Sequence, residues 1–452
     1  MPDSQTASRY RDTGAQAPAR TFWRDAEKGI IVFCLLLFSQ ALLGRLFATE
    51  ENPEGGAFLR FIWLPIYAYV MCQIVLNWRN MTAIVLRSPF LVALAVLSMA
   101  SMMWSLDPGT SLRRGFAAIC TTAFGFYLAA TLSWKELLRC LGVTWLILAI
   151  GNFLAGALMP GFGIMHEIHV GAWRGLWFEK NAMGGHLARA AFLYAFLIVV
   201  DVDRRKLWGF CFLISLALVL LSTSKTSLLG LLLGIGVIGA YLWMRRGKLI
   251  AVSALWLGIS SVMAVVLVVL VSPETVVAIL GRDLTLTGRT DIWEVLFRIM
   301  EDRPNLGFGY GTFWAKDSPP AHMVRLETEW EVPTAHNGLI EIMLAMGRVG
   351  AAFFLIDFLL NIVRSLLTMH TRITSVYAFG FFIIFALFSI SESVILQQNS
   401  ITWVMYSAIA GKLALDARDR TKARRKAPVG YAEPLLKPSQ NLRGRQGSSG
   451  RV

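Results

Sequence analysis

The chain has 452 residues, of which 56% are hydrophobic and only 16% are charged. A soluble protein carries about 25% charged residues, so this composition excludes an ordinary soluble domain. In a soluble protein the net charge of +14 would suggest a nucleic-acid partner. Here the cations concentrate in short loops and in a basic tail, as the positive-inside rule of membrane proteins requires. We therefore expect no nucleic-acid partner and contacts with anionic membrane lipids instead.

Apolar segments of about 20 residues, the length that a helix needs to cross a bilayer, recur along nearly the whole chain. The sequence predicts an all-α polytopic membrane protein with about twelve transmembrane helices. Nine of them are expected in residues 28–271 and three in residues 336–415. Their predicted apolar cores are Ile30–Leu46, Phe58–Leu76, Pro89–Trp104, Leu112–Leu132, Leu137–Met159, Met183–Val200, Leu207–Leu221, Ser227–Trp243, Leu249–Val271, Gly338–Val363, Ile373–Ile390 and Ser400–Leu415.

The loops between these segments alternate between a basic class and a class with fewer cations. Basic loops stay in the cytoplasm, so both termini are predicted to be cytoplasmic and every long loop to face outward. This places residues 1–27 in a cytoplasmic tail and residues 416–452 in a basic, disordered cytoplasmic tail. The basic loops are "NWRNMTAIVLRS", "SWKELLR", "DVDRRK", "MRRGK" and "RSLLTMHTR".

The longest outward loop covers residues 272–335, and a connection of this length is usually functional. Inside it, "DIWEVLFRIMED" has helical periodicity, with one side formed by Ile292, Trp293, Leu296 and Met300 among others. This pattern predicts an amphipathic helix that lies on the membrane surface. The following "RPNLGFGYGTFW" is predicted to be a glycine-rich turn.

His336 and Asn337 stand where this loop enters the span that begins near Gly338. A helix N-terminus presents free N–H groups and a partial positive charge, which favour anions and lower the pKa of an imidazole. A neutral His336 could accept a proton and is a candidate general base, with Asn337 beside it as a substrate-binding candidate. The alternative is a histidine that only caps the helix at the membrane interface.

The candidate phosphate-binding groups are arginines and lysines of the outward segments. Arg289, directly before the predicted amphipathic helix, could bind phosphate oxygens with both arms of its guanidinium group. Arg282 precedes it in the same loop and could equally be a solvated surface residue. "STSKTS" places Lys225 between two spans, but it lacks the leading glycines of a nucleotide-binding loop.

A second cluster, "HVGAWRGLWFEKNAMGGH", brings Arg174, Lys180 and Asn181 beside several aromatic residues. It could be an aromatic belt with cations reaching to the interface, or a site for sugars and phosphate. The neighbouring "HEIH" is too short a match for a metal site, so no metal is expected. Glu341 and Glu392 also attract attention, because carboxylates near span ends are often functional.

Five motifs in a fixed order resemble the O-antigen ligase and Wzy-type polymerase superfamily, especially its exopolysaccharide-polymerase branch of ExoQ type. The resemblance implies a GT-C-like fold and a metal-independent, inverting glycosyltransferase of the inner membrane that needs no cofactor. Its substrate is an oligosaccharide carried on a polyprenyl diphosphate on the periplasmic side, and other polysaccharide assembly and chain-length proteins are further expected partners. The motifs are "RGLWFEKNAMGGHLA", "STSKTSLLG", "GRTDIW", "GFGYGTFW" and "AHNGLIEIMLAMGRVG".

The same resemblance assigns roles to individual residues. His336 matches the essential histidine of the family, and Arg289 matches the arginine of its long-loop motif. Lys225 stands where many members have arginine, which leaves its role open, and Arg174 and Lys180 match a motif of less settled role. Three functions remain: a polymerase of lipid-linked repeat units, a ligase that transfers finished glycan to lipid A–core, and a transporter or flippase. The sequence favours the polymerase and does not reveal the acceptor.

Overall fold

A computed structural model of the protein describes residues 18–47, 56–166, 169–247 and 289–426, with 249–250, 252–253, 256 and 260 between them. Across these residues the backbone is helical apart from turns and one isolated bridge between Ile164 and Trp173. Residues 1–17 and 427–452, Arg282 and most of the predicted ninth span lie outside the described residues.

The helices are α1 (Pro18–Phe38), α2 (Leu43–Phe47), α3 (Gly56–Leu76), α4 (Trp78–Val85), α5 (Pro89–Ala100), α6 (Pro108–Thr131), α7 (Trp134–Leu158), α8 (Pro160–Gly163), α9 (Lys180–Val200), α10 (Arg205–Leu221), α11 (Lys225–Met244), α12 (Arg289–Met300), α13 (Pro319–Thr328), α14 (Gly338–Met369), α15 (Thr374–Ser391) and α16 (Ile401–Lys426). Apart from residues 249–271, each predicted span coincides with a helix or helix pair of this series. The last helix extends to Lys426, so the first part of the tail that was expected to be disordered is helical.

Five described helices, α7, α9, α11, α14 and α15, are long and apolar enough to cross a membrane. A sixth crossing results if Phe61–Leu76 and Trp78–Val85, which meet at 93°, form one broken span. Other apolar helices are shorter, with 12 residues in α5 and 17 in α10. The prediction of a polytopic α-helical membrane protein is confirmed, whereas the number of twelve spans stays a prediction.

The bundle is built around α9, which packs against α10 and α11, and around α6, which packs against α5 and α16. Helix α15 lies against α11 and α14 and joins the two groups. A continuous core of buried apolar and aromatic side chains fills the space between them. Burial of apolar groups and close van der Waals packing therefore fix the ends of α9, α14 and α15 relative to one another.

Salt bridges collect at one end of the bundle. Arg139, at the start of α7, donates two hydrogen bonds of 2.9 and 2.7 Å to Asp201, which follows α9. Arg372, which precedes α15, pairs with Asp416 of α16, and Trp134 donates to the same Asp416 carboxylate over 3.1 Å. Three of the connections predicted to be cytoplasmic therefore meet at a common end, as alternating spans require.

Helix α14 is broken at Met346 and Gly347, where Gly347 has φ 62°. A Cβ atom on Gly347 would lie 2.2 Å from the backbone of Asn305, so only glycine lets that segment approach. The backbone N–H groups of Phe308 and Gly309 then donate to the freed carbonyls of Leu344 and Ala345, over 2.7 and 3.0 Å. The glycine-rich turn predicted at residues 303–314 therefore docks into the break of a membrane helix.

Helix α12 has the predicted amphipathic pattern, because Ile292, Leu296 and Ile299 on one side are buried. The expectation that this apolar side lies on the membrane surface is wrong, because it packs against other parts of the protein. It packs within a small core with residues of the glycine-rich turn, of α13 and of the first turns of α14, including Phe308, Val324 and Ile340. The long loop is thus folded onto the start of α14, and α13 is a helix that the sequence pattern did not predict.

Candidate active site

His336 is held in a left-handed backbone conformation, with φ 49°, directly before α14. Non-glycine residues rarely adopt this conformation, and it persists only where the surroundings impose it. Its own N–H donates to Thr334 Oγ1 over 3.3 Å, and its ring stacks on Trp330 with centroids 6.0 Å apart. The imidazole is therefore fixed from both the backbone and the ring side.

The preceding residue, Ala335, is clamped through both backbone groups. Its N–H donates to Glu341 Oε1 over 2.7 Å, and its carbonyl accepts a hydrogen bond of 2.9 Å from Trp293 Nε1. The Glu341 carboxylate also accepts from Trp314 Nε1 over 3.0 Å and from Ser393 Oγ over 3.2 Å. One carboxylate thus ties the segment before His336 to the glycine-rich turn and to the segment after α15.

The pKa of His336 is lowered to about 4, first by burial and second by the positive charge of Arg289. The direction agrees with the prediction, although the cause is burial and a neighbouring cation rather than the end of α14. At neutral pH the ring is uncharged and able to accept a proton. Because Trp293 of α12 contacts Ala335, the start of α12 brings Arg289 towards His336.

His336 opens onto a cavity of about 320 Å³, called here the His336 cavity. The opposite wall comes from α9, through Asn181, His186 and Arg189. Phe388 of α15 and Glu392 beyond its end also contribute to the lining. The structure therefore brings together His336 and Asn181, two site residues predicted from distant parts of the chain.

His186 and Arg189 were missed by the sequence reasoning, although an ionisable pair inside an apolar span is a functional signal by itself. Arg189 is only 4% exposed and lies over the Phe388 ring at 5.0 Å. Its Nη2 contacts His186 Nδ1 at 3.2 Å, and His186 stacks on Trp177. Within the described part of the chain, Arg189 Nε and Nη1 have no hydrogen-bond partner. A buried guanidinium with two such donors fits an anionic ligand.

Lys180 and Lys225 are the first residues of α9 and α11. Lys180 Nζ donates to Thr223 Oγ1 over 3.2 Å, so the "STSKTS" segment lies against the start of α9. A Cβ atom on Gly184 would lie 2.6 Å from Ser222 Oγ, which shows how closely the two segments approach. Neither lysine lines the His336 cavity, but Lys180 directly precedes Asn181, which does.

Arg174 and Asn337 have roles other than lining this cavity. Arg174 Nε donates to the Phe162 carbonyl over 3.2 Å, and Arg45 donates to the same oxygen. Asn337 caps α14, because its Oδ1 accepts from the N–H groups of Leu339 and Ile340 over 3.0 and 3.1 Å. The helix cap occupies the oxygen that Asn337 would offer to a substrate.

The residues described here contain no group of three or more His, Cys, Asp or Glu side chains placed to hold a metal ion. His166 of "HEIH" has its ring nitrogen 3.3 Å from the Pro160 carbonyl. Among the described residues, Arg289 acts electrostatically on His336, and Glu179, Arg189 and Glu392 line the same cavity.

A larger cavity of about 710 Å³, called here the Tyr310 cavity, adjoins the His336 cavity at Pro333 and Thr334. It is lined by the glycine-rich turn, by Arg114 of α6, by Arg325 of α13 and by Gln398. Pro333, Thr334, Ser393 and Gln397 line both cavities, so the two share one wall.

Comparison with known proteins shows what this chain is similar to. The family model described as O-Antigen ligase (Wzy_C) matches residues 210–355. The predicted resemblance to the O-antigen ligase family is confirmed. The matched segment of this chain contains Lys225, Arg289, His336 and Glu341, and it ends after the break in α14. The exopolysaccharide production protein ExoQ of Rhizobium meliloti (strain 1021) is 24% identical over 413 residues, which cover 87% of this chain and 89% of that protein.

Proposed function

We propose that this protein is a glycosyltransferase that polymerises polyprenyl-diphosphate-linked oligosaccharide repeat units into exopolysaccharide. It works at the periplasmic face of the inner membrane, with both termini in the cytoplasm. The match to the O-antigen ligase family and the likeness to an exopolysaccharide production protein support this reaction class. The observation that carries the proposal is a partly buried His336, held by Thr334 and Trp330 in the lining of a cavity that also contains the buried Arg189.

His336 acts as the general base. It takes the proton of an acceptor sugar hydroxyl, and the oxygen attacks the anomeric carbon of the donor from the side opposite the diphosphate. The new glycosidic C–O bond forms while the bond to the diphosphate oxygen breaks, so the anomeric configuration is inverted. The polyprenyl diphosphate leaves with the electron pair of the broken bond, and the protonated His336 returns its proton to solvent.

Arg289 stabilises the negative charge that develops on the leaving diphosphate. Arg289 also couples binding of the donor to the pKa of His336. In the free enzyme its positive charge lowers the pKa of His336, and a bound diphosphate offsets that charge. Donor binding therefore raises the pKa of His336 and makes it a stronger base at the moment it is needed.

Fixed cations replace a metal ion in this proposal. Arg189 supplies buried donors in the His336 cavity, while Lys225 and Lys180 at the neighbouring helix ends attract the diphosphate to the site. Asn181 lines the same cavity and offers an amide to the donor sugar. Arg174 and Arg282 contribute to the positive field of the outer surface. Preorganised charges of this kind lower the barrier without a divalent cation.

The second candidate is a ligase that transfers the glycan to lipid A–core, which the description of the matched family model favours. Both reactions use the same donor chemistry and differ in the acceptor. Deleting the gene distinguishes them: loss of extracellular polysaccharide with intact lipopolysaccharide supports the polymerase. Loss of the O-antigen from lipopolysaccharide with normal extracellular polysaccharide supports the ligase.

The catalytic assignment is tested with purified protein and purified lipid-linked repeat units. His336→Ala should lower the rate about 100- to 10,000-fold while donor binding persists. His322 on α13 is a matched control, because it is an exposed histidine of the same loop that lines neither cavity. His322→Ala should retain the wild-type rate. A wild-type rate for folded His336→Ala would reduce this histidine to a helix-entry residue and refute the mechanism.

A further inference from the structure

The Tyr310 cavity has no part in the donor chemistry described above, yet it adjoins the candidate base. The two cavities share Pro333, Thr334, Ser393 and Gln397. Thr334 accepts the backbone hydrogen bond of His336. A molecule in the Tyr310 cavity would therefore contact residues that also line the His336 cavity, beside the segment that holds His336.

One cavity lies between membrane helices and the other lies against the folded loop, which fits a lipid-linked donor and a glycan acceptor. The His336 cavity is bordered by membrane helices, with Phe38, Trp177 and Phe388 in its lining. A diphosphate attached to a polyprenyl tail must stay at the membrane boundary, so this cavity suits the donor. The Tyr310 cavity is bordered by the glycine-rich turn and α13, which belong to the folded loop.

We propose that the Tyr310 cavity binds the acceptor glycan and delivers its terminal hydroxyl to His336. This inference rests on the proposed glycosyl transfer and adds the place of the second substrate. The cavity holds about 710 Å³, within the range of roughly 300–1,000 Å³ that is typical of pockets for small-molecule ligands. Its volume is more than twice that of the His336 cavity.

The chemistry of the lining fits a sugar chain. Tyr310 and Trp314 provide aromatic surface, and Gln397 and Gln398 provide amides that both donate and accept hydrogen bonds. Ala315 and Lys316 at the rim are exposed. A growing polymer can therefore leave the cavity towards the water instead of entering the bilayer.

The charges of this cavity suit a glycan better than a diphosphate. Arg325 Nε is 3.3 Å from Glu331 Oε2, and Arg114 donates to the Gly311 carbonyl, so both arginines take part in protein contacts. Carboxylates line both cavities, Glu331 and Glu341 here and Glu179 and Glu392 in the His336 cavity, so the difference between the two lies in their arginines. Arg189, with its two unpartnered donors among the described residues, lines the other cavity.

A direct structural link connects acceptor binding to catalysis. Trp314 lines the Tyr310 cavity and donates to Glu341 over 3.0 Å, and Glu341 accepts the N–H of Ala335 over 2.7 Å. A sugar that packs against Trp314 therefore contacts the same network that positions His336. The acceptor hydroxyl and the base are thereby placed by one set of hydrogen bonds.

The test uses a soluble oligosaccharide released from the organism's own exopolysaccharide. It can accept a glycosyl group but cannot donate one, because it lacks the diphosphate leaving group. Ala315→Trp places a bulky ring at the rim, where no existing side-chain contact is lost. We expect the KM for the oligosaccharide to rise about tenfold or more while donor binding stays within about twofold of wild type.

Two further variants keep the outcome clear. Lys316→Ala removes only an exposed side chain, and the KM for the oligosaccharide should rise about 3- to 10-fold with unchanged kcat. Ala182→Trp in the His336 cavity is the matched substitution and should weaken donor binding instead. Wild-type acceptor kinetics in both Ala315→Trp and Lys316→Ala would overturn the acceptor site. Complete absence of glycosyl transfer by the wild-type protein would refute the proposed function itself.

Discussion

Replacing Glu341 by glutamine removes the negative charge that holds the segment before His336 while leaving the side-chain shape almost unchanged. The carboxylate accepts hydrogen bonds from Ala335 N–H, Trp314 Nε1 and Ser393 Oγ. A glutamine offers one acceptor oxygen and an NH2 group that is itself a donor. All three donors reach Oε1, and Trp314 Nε1 also lies 3.1 Å from Oε2. With the glutamine oxygen at the Oε1 position, its NH2 group faces the Trp314 N–H, and two donors then oppose each other.

The magnitude follows from these contacts. A hydrogen bond to a charged group contributes about 1.5–3 kcal/mol, so replacing the contact between Trp314 and Oε2 by two opposed donors should lower the free energy of unfolding by about that amount. Because Ala335 adjoins His336, the base should also shift. A displacement of about 1 Å in a catalytic group can cost about 100-fold in rate. We expect kcat of Glu341→Gln to fall by about that factor, with donor affinity unchanged because Glu341 does not line the His336 cavity.

The assay measures kcat and donor affinity on folded, detergent-purified protein. Asp357→Asn is the matched control, since Asp357 is a buried carboxylate of the same helix that accepts from Tyr406 and Asn361 over 2.8 and 2.9 Å. It should lower stability while leaving kcat of the folded protein close to wild type. The reasoning is refuted if Glu341→Gln retains the wild-type kcat, or if both variants lose activity in proportion to stability.

Four further outcomes are expected. Arg289→Ala should lower the activity about 100- to 1,000-fold. Arg289→Lys keeps the charge but not the planar guanidinium group, so it should recover only part of that loss. Full activity in Arg289→Lys would exclude bidentate binding. The pKa of His336 is lowered in the folded protein, so stability should be complete above about pH 6.5 and should fall as the pH drops towards 4. His336→Gln should flatten that part of a pH-dependent melting curve. Turnover should persist in EDTA, and restoration of lost activity by magnesium would contradict the metal-free mechanism. Asp201→Asn breaks the pair with Arg139 and should cost about 3 kcal/mol in chemical denaturation without changing donor affinity.

The positions of the helices could be predicted from sequence because hydropathy is a local property of the chain. The segment Lys180–Val200 and the start of α14 at Gly338 lie within a few residues of their predicted limits. His336 was also proposed as a site residue from sequence, through its place beside a helix start and through its motif. The amphipathic pattern of α12 was confirmed in the same way, since the period of a helix is visible within one segment.

The partners of these elements depend on contacts between residues far apart in the chain. Nothing local indicates that the apolar side of α12 meets the glycine-rich turn, or that Gly347 breaks α14 to admit that turn. The same holds for the wall that Arg189 of α9 forms opposite His336. Hydropathy predicts that a segment is buried, but it does not predict which other segment packs against it. The packing partner depends on side-chain shape and hydrogen bonding between the helices. The residue types of the site were therefore readable along the chain, whereas the division into two adjoining cavities arose only from the tertiary packing of α9, α14, α15 and the folded loop.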